Sequence, residues 1–113
     1  MSRVAFATCS PRRPMWDDDL PAAEVLAEAG IEVDFQAWDD PEVRWNQYGR
    51  VVVRSAWDYG ERLEEFLAWA DAVGDERLRN LPATIRWNSD KRYLAELAGA
   101  GLPVPPTLLV APG

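Results

Sequence analysis

The sequence predicts an α/β fold built on a parallel sheet, and three observations carry that prediction. Short apolar, β-branched runs alternate along the chain with stripes of helical period. The two clearest stripes each stop at a glycine, Gly30 and Gly74, where a helix end favours a left-handed residue. The chain's 113 residues, 48% hydrophobic and 27% charged, suffice for one buried core and not for two complete domains.

The elements follow in order. Val4 to Thr8 (VAFAT) is an apolar run suited to a first strand buried on both faces. Residues 9–19 hold Pro11, Pro14 and three acids, which makes them a loop leading into a helix. From Leu20 to Ala29, Ala22, Val25, Leu26 and Ala29 share one helical face; Asp18 or Asp19 can cap its start and Pro21 suits its first turn. Ile31 to Phe35 alternates apolar with acidic residues, as a strand nearer the sheet edge does. A loop rich in Trp38, Asp39, Asp40, Pro41 and Trp45, with room for a short helix, leads to the buried strand Val51-Val52-Val53, which ends at Arg54. A second helix starts at about Glu61, with Leu63, Phe66, Leu67, Ala70 and Val73 on one face. A brief fourth strand is expected around Asn80–Pro82, then a helix Lys91–Ala100 capped by Ser89-Asp90, an extended connector Leu102–Pro106, and a new strand over Thr107–Val110. Right-handed crossovers and a central first strand give the order 2-1-3.

Composition narrows the function. Acids outnumber bases by 19 to 12, and the longest basic runs are the pairs Arg12-Arg13 and Lys91-Arg92. A nucleic-acid backbone and an anionic membrane are therefore poor partners, and small molecules or proteins better ones. One Cys makes no internal disulfide, and no apolar leader or stretch near membrane-spanning length occurs, so the expected location is cytoplasmic. The absence of His excludes Ser-His-Asp, Cys-His and His-ligated zinc chemistry within these residues. Cys9 then reads as a small buried residue at a strand end. No metal-ligand set is apparent: Asp17, Asp18 and Asp19 more simply favour the positive end of the helix they precede. Neither GxGxxG nor GxxxxGK[ST] occurs, which argues against simple dinucleotide binding.

In an open parallel sheet, ligands bind beyond the carboxyl ends of the strands where the strand order reverses. With order 2-1-3 that crevice gathers Thr8, Cys9 and Ser10 after the first strand, and Arg54, Ser55, Trp57, Asp58 and Tyr59 after the third. The segment RSAWDY fits a small zwitterion: Arg54 for a carboxylate, Asp58 for an amine, Trp57 or Tyr59 as a wall. The same residue types also serve a structural role, with Ser55 or Asp58 capping the next helix, Trp57 packed beneath it and Arg54 in a surface ion pair. The loop with Trp38, Asp39, Asp40 and Trp45 reads first as a packed Ω-type loop and second as a pocket wall.

VAFATC, WDDPEVRWNQYGRVVVRSAWDY, EEFLAWAD and, above all, RWNSDKRYLAELAGAGLPVPPT together resemble the N-terminal, pre-ATP-grasp portion of bacterial ATP-grasp proteins. The most similar subgroup includes the cyclo-ligase of cycloserine biosynthesis and the RimK-like carboxylate-amine ligases. The resemblance implies a Rossmann-like pre-ATP-grasp domain over residues 1–87 and the beginning of an ATP-binding domain over residues 88–113. It implies an ATP- and Mg2+-dependent ligase that activates a small amino-acid-like carboxylate substrate as an acylphosphate for attack by an amine. Lys91, in the DK motif, matches the family's phosphate-contacting lysine, and a lysine in a first helical turn suits an anion. A homodimer through this domain is a further implication.

The sequence departs from the family by stopping at Gly113, before the family's second phosphate lysine, adenine strand and magnesium ligands. On that basis no catalytic residue is assigned, and these residues alone do not complete a phosphoryl transfer. The rival expectation is a stand-alone, non-catalytic interaction or dimerisation module using exposed Trp16, Trp38 and Trp45. A phosphoacceptor receiver domain ranks last, because the third strand ends in Arg54 and no acidic pair follows the first.

Overall fold

The computed structural model describes residues 2–9, 19–56 and 60–110, apart from the side chain of Ser55. In chain order the elements are β1 (Ser2–Thr8), α1 (Asp19–Glu28), β2 (Ile31–Ala37), a 3-10 turn (Trp45–Gln47), β3 (Arg50–Ser55), α2 (Leu63–Val73), β4 (Leu78–Arg79), α3 (Pro82–Asn88) and α4 (Tyr93–Gly99). The sheet has the order β2-β1-β3-β4, and every pairing is parallel. The α/β class, the expected 2-1-3 core and the edge position of β2 all hold.

β1 is central because its sequence tolerates burial on both faces. Its register runs from Ser2 opposite Ile31 to Thr8 opposite Ala37 on one side, and from Val4 opposite Arg50 to Thr8 opposite Ser55 on the other. Alternation along the strand sends Ala5 and Ala7 to one face and Phe6 to the other. On the first face Ala5 and Ala7 join Trp38, Tyr48, Val51, Phe66, Ala70, Val73, Leu78 and Ile85 in the main core. On the second face Phe6 meets Phe35 edge-on, with ring centroids 5.5 Å apart. Cys9 lies buried at the strand end, as expected.

Tyr48 ties the β2–β3 connection to the sheet. Its ring is buried, its hydroxyl donates to Asp34 Oδ2 at 2.9 Å, and it accepts from Gln36 Nε2 at 2.9 Å. Burial pushes this hydroxyl's pKa above the ordinary tyrosine value, and the Asp34 bond adds to that against the opposing Gln36 bond. Arg3 also pairs with Asp34 and lies over the Tyr48 ring.

Gly30 and Gly74 end α1 and α2 with φ of 85° and 90°, the left-handed backbone that a side chain disfavours. Several expectations need correction. The fourth strand falls at Leu78–Arg79, ahead of the expected Asn80–Pro82, because Leu78 fills the core beside Val51. Pro82 instead opens α3, where a missing N–H costs nothing and Ile85 supplies the buried contact. The last helix starts at Tyr93 and not at Lys91, since residues 90–92 form a turn in which Asp90 Oδ1 accepts from the Arg92 N–H at 3.0 Å. Residues 107–110 form no strand: Leu108 and Val110 stand exposed, and among the described residues no neighbouring strand completes a ladder. The α1 stripe is also weaker than expected, with Val25 65% exposed. Trp38 and Trp45 are buried and half-buried against the core, in keeping with the packed-loop reading and against the exposed positions the rival module uses. Trp16 lies outside the described residues.

Among the described residues no helix is long and apolar enough to cross a membrane. Leu78 has no exposed surface and locks β4 to the core. Leu78→Ala is expected to lower the unfolding free energy by about 2–5 kcal/mol, the usual cost of such a cavity, read as a lower urea midpoint at an unchanged slope.

Candidate functional site at the carboxyl edge of the sheet

The crevice predicted from topology lies where β1 and β3 end. A register irregularity between Ala7 and Thr8 marks this edge. Thr8 is buried, and its Oγ1 donates to the Gln36 carbonyl at 3.4 Å, so its hydroxyl faces the β2 strand. Trp57, Asp58 and Tyr59 and the Ser55 side chain lie outside the described residues.

Arg54 is the site residue whose setting is clear. Its Nε donates to Asp19 Oδ1 at 2.8 Å, and the Asp19 side chain is only 3% exposed while that of Arg54 is 40% exposed. The guanidinium carbon also lies 5.9 Å from the Phe6 ring centroid. A buried carboxylate from the start of α1 and an aromatic face thus fix one edge of a half-exposed guanidinium. Among the described residues Nε alone of that group has a hydrogen-bond partner, so the terminal nitrogens keep their capacity for a planar anion. Asp19 was read from the sequence as a helix-capping acid. Its link to Arg54 spans 35 positions, and no local pattern announces it.

Lys91 does not converge with these groups. It is exposed in the turn before α4, with Nζ 5.8 Å from the Tyr93 ring. Among the described residues no three acidic, Cys or His side chains converge as metal ligands. One exposed ammonium without such a set does not hold Mg-ATP by itself, and no chemical step through that group is derived for these residues.

A second polar cluster sits between the β2–β3 connection and the start of α2. Arg62 lies over Trp38 at 4.8 Å and donates to Asp39 Oδ2 and Glu65 Oε2, both at 2.6 Å. These contacts line an open cleft of about 320 Å³ together with Asp40, Pro41, Val43, Trp45 and Trp69. Trp38 and Trp45 thus pack on the core and also wall this cleft. Arg62 carries no signal in the sequence because its partners lie on another element and one turn ahead.

A four-stranded parallel sheet of order β2-β1-β3-β4 with covering helices defines a Rossmann-like α/β domain. Residues 4–81 match the family model of the D-cycloserine synthetase DcsG N-terminal domain, and the chain belongs to that family. It is 40% identical over 114 aligned residues to the cycloserine biosynthesis protein DcsG of Streptomyces lavendulae, covering all of this chain and 38% of that protein. The crystal structure of D-cycloserine synthetase DcsG superposes with a TM-score of 0.86 at 39% identity, over 98% of this chain and 38% of that one. The chain therefore spans well under half the length of the relatives it matches.

The Arg62 hydrogen bond, aided by its charge, holds the Glu65 carboxyl below its ordinary pKa of 4.5. A carboxyl lowered in the fold favours the folded state above its ordinary pKa, and that contribution fades as pH falls through the lowered value. In an NMR pH titration, Arg62→Ala is expected to move the Glu65 midpoint back up toward 4.5. An unmoved midpoint would break the link between the two side chains.

Proposed function

We propose that this chain is the N-terminal, substrate-holding part of an ATP-dependent carboxylate-amine or cyclo-ligase that works through an acylphosphate. Family membership supports the ligase class. The observation that carries the substrate role is Arg54, held by buried Asp19 at the carboxyl end of β3 with its outer edge accessible. A guanidinium so placed binds the carboxylate of a small amino-acid-like substrate without having to be ordered first. Asp19 acts as a positioning residue, and Ser55, Trp57, Asp58 and Tyr59 are the further substrate contacts that the sequence offers, on side chains outside the described set.

On this reading, residues 1–87 form the pre-ATP-grasp domain and residues 88–113 begin the ATP-binding part. α4 buries none of its residues and is tied to α3 through Trp87, which donates to Glu96 and packs on Tyr93. Lys91 is this segment's contribution to ATP phosphate, while magnesium is held by other parts of the ligase. A cytoplasmic location suits such an enzyme. The rival interaction module is the weaker reading, since of its three tryptophans Trp38 is buried and Trp45 half-buried against the core, while Trp16 lies outside the described residues.

The test uses the ligase that contains this domain, with KM measured separately for the carboxylate substrate and for ATP. Arg54→Ala is expected to raise the carboxylate KM about tenfold or more, the worth of one charged hydrogen bond, with little change for ATP. Lys91→Ala is expected to do the reverse. Equal losses for both substrates in a folded Arg54→Ala variant would sink the substrate assignment, and Arg54→Lys serves if the alanine variant does not fold.

A further inference from the structure

The geometry points to the indole-walled cleft between the β2–β3 connection and α2 as a binding site for a small primary ammonium that carries a neutral carbonyl or hydroxyl oxygen beside it. The cleft shares no residue with the Arg54 crevice. Arg54 lies over Phe6, on the face of β1 opposite Ala5 and Ala7, whereas the cleft is built on the Trp38 side, so each can fail without the other.

Two atoms carry the inference. Asp39 Oδ1 and Trp69 Nε1 are both buried, and neither has a hydrogen-bond partner. An orphaned carboxylate oxygen and an orphaned N–H are each costly, and native structures rarely leave such groups unpaired without a ligand or water to complete them. Both residues line one cleft, and the two atoms are complementary in kind: Asp39 Oδ1 requires a donor, and Trp69 Nε1–H requires an acceptor. A volume of about 320 Å³ suits a ligand of a few heavy atoms, at the small end of binding pockets.

Charge selects the ligand class. Among the described residues that line the cleft, Asp39, Asp40 and Glu65 accompany one cation, Arg62, which is bonded to Asp39 and Glu65. A free carboxylate would meet excess negative charge there, whereas an ammonium gains both Asp39 Oδ1 and the faces of Trp45 and Trp69. The walls are fixed in advance. Trp45 meets Trp69 edge-on at 5.2 Å, Trp69 stacks on Phe66 at 5.4 Å, and Trp38 meets Phe66 edge-on at 5.2 Å. Little ordering cost is left for binding.

Glycinamide is the probe, because it presents an ammonium and a carbonyl oxygen without a carboxylate. The indole Nε1–H resonance of Trp69, assigned with Trp69→Phe, is expected to shift saturably as glycinamide is added, at about millimolar affinity for so small a molecule. Acetamide, which lacks the ammonium, and glycine, which carries a carboxylate, are each expected to bind about tenfold more weakly. By calorimetry, Asp39→Asn is expected to weaken glycinamide about tenfold, while Trp69→Phe weakens it several-fold with the Asp39–Arg62 pair intact. Arg54→Ala is expected to leave it unchanged. If Asp39→Asn does not fold, Trp69→Phe decides. Absence of a saturable shift makes the cleft a hydrated groove and overturns the proposal, as does glycine or acetamide binding as tightly as glycinamide.

Discussion

Because Ala5 and Ala7 carry only methyl groups on one face of the central strand, bulky side chains can lie directly against that strand. Trp38 and Tyr48 from the β2–β3 connection and Phe66 from α2 fill this space, with Trp45 and Trp69 packed behind them. Aromatic pairs in edge-on or offset geometry each add about 0.5–1.5 kcal/mol beyond the area they bury. A connection without regular helix, apart from one 3-10 turn, thereby covers a sheet face that a crossover helix would ordinarily cover. Larger residues at positions 5 or 7 would push this layer off the sheet, and Trp38, whose N–H reaches the Thr8 carbonyl at 2.9 Å, would lose its seat.

Once that layer is seated, the polar groups have few places to go. Asp39 follows Trp38 directly and is carried to the start of α2, where Arg62 reaches back over the Trp38 ring to meet it. The ion pair is thus a consequence of aromatic packing, and its low exposure follows from the indoles around it. On the opposite face there is less apolar cover. α1 buries its first residue, Asp19, and leaves Val25 in solvent. The Arg54–Asp19 pair does there what hydrophobic contact does on the other side, fastening the start of α1 to the end of β3. Desolvating Asp19 is costly unless its partner is well placed, so the pair specifies geometry more than it adds stability.

What could be read from the sequence follows from which signals are local. The strands VAFAT, IEVDF and VVV, the stops at Gly30 and Gly74 and the parallel order depend on neighbours in the chain, and each is present. α3 was missed because its seven residues bury only Pro82 and Ile85, too few to set a helical period. The strand expected at Thr107–Val110 failed for the opposite reason: its composition is strand-like, but a strand needs a partner that no described segment offers. Of the site, Arg54 was legible from its place at the end of a buried strand. Asp19, Asp39 and Arg62 were not legible as partners, because the pairs Arg54–Asp19 and Arg62–Asp39 join positions 35 and 23 apart.

The two ion pairs share a design that bears on how such a domain recognises ligands. In each, an arginine near the carboxyl edge of the sheet is held by an aspartate more buried than itself and lies over an aromatic ring, Phe6 in one case and Trp38 in the other. The difference lies in what remains unsatisfied. For Arg54 the bond to Asp19 uses Nε, and the surplus capacity is cationic, suited to a carboxylate. For Arg62 both terminal nitrogens are used by Asp39 and Glu65, and the surplus passes to Asp39 Oδ1, which is anionic. The same pairing therefore leaves opposite kinds of hydrogen-bonding capacity on the two faces of one sheet. What decides it is whether a second acid, here Glu65 in the first turn of α2, is present to occupy the guanidinium's other terminal nitrogen.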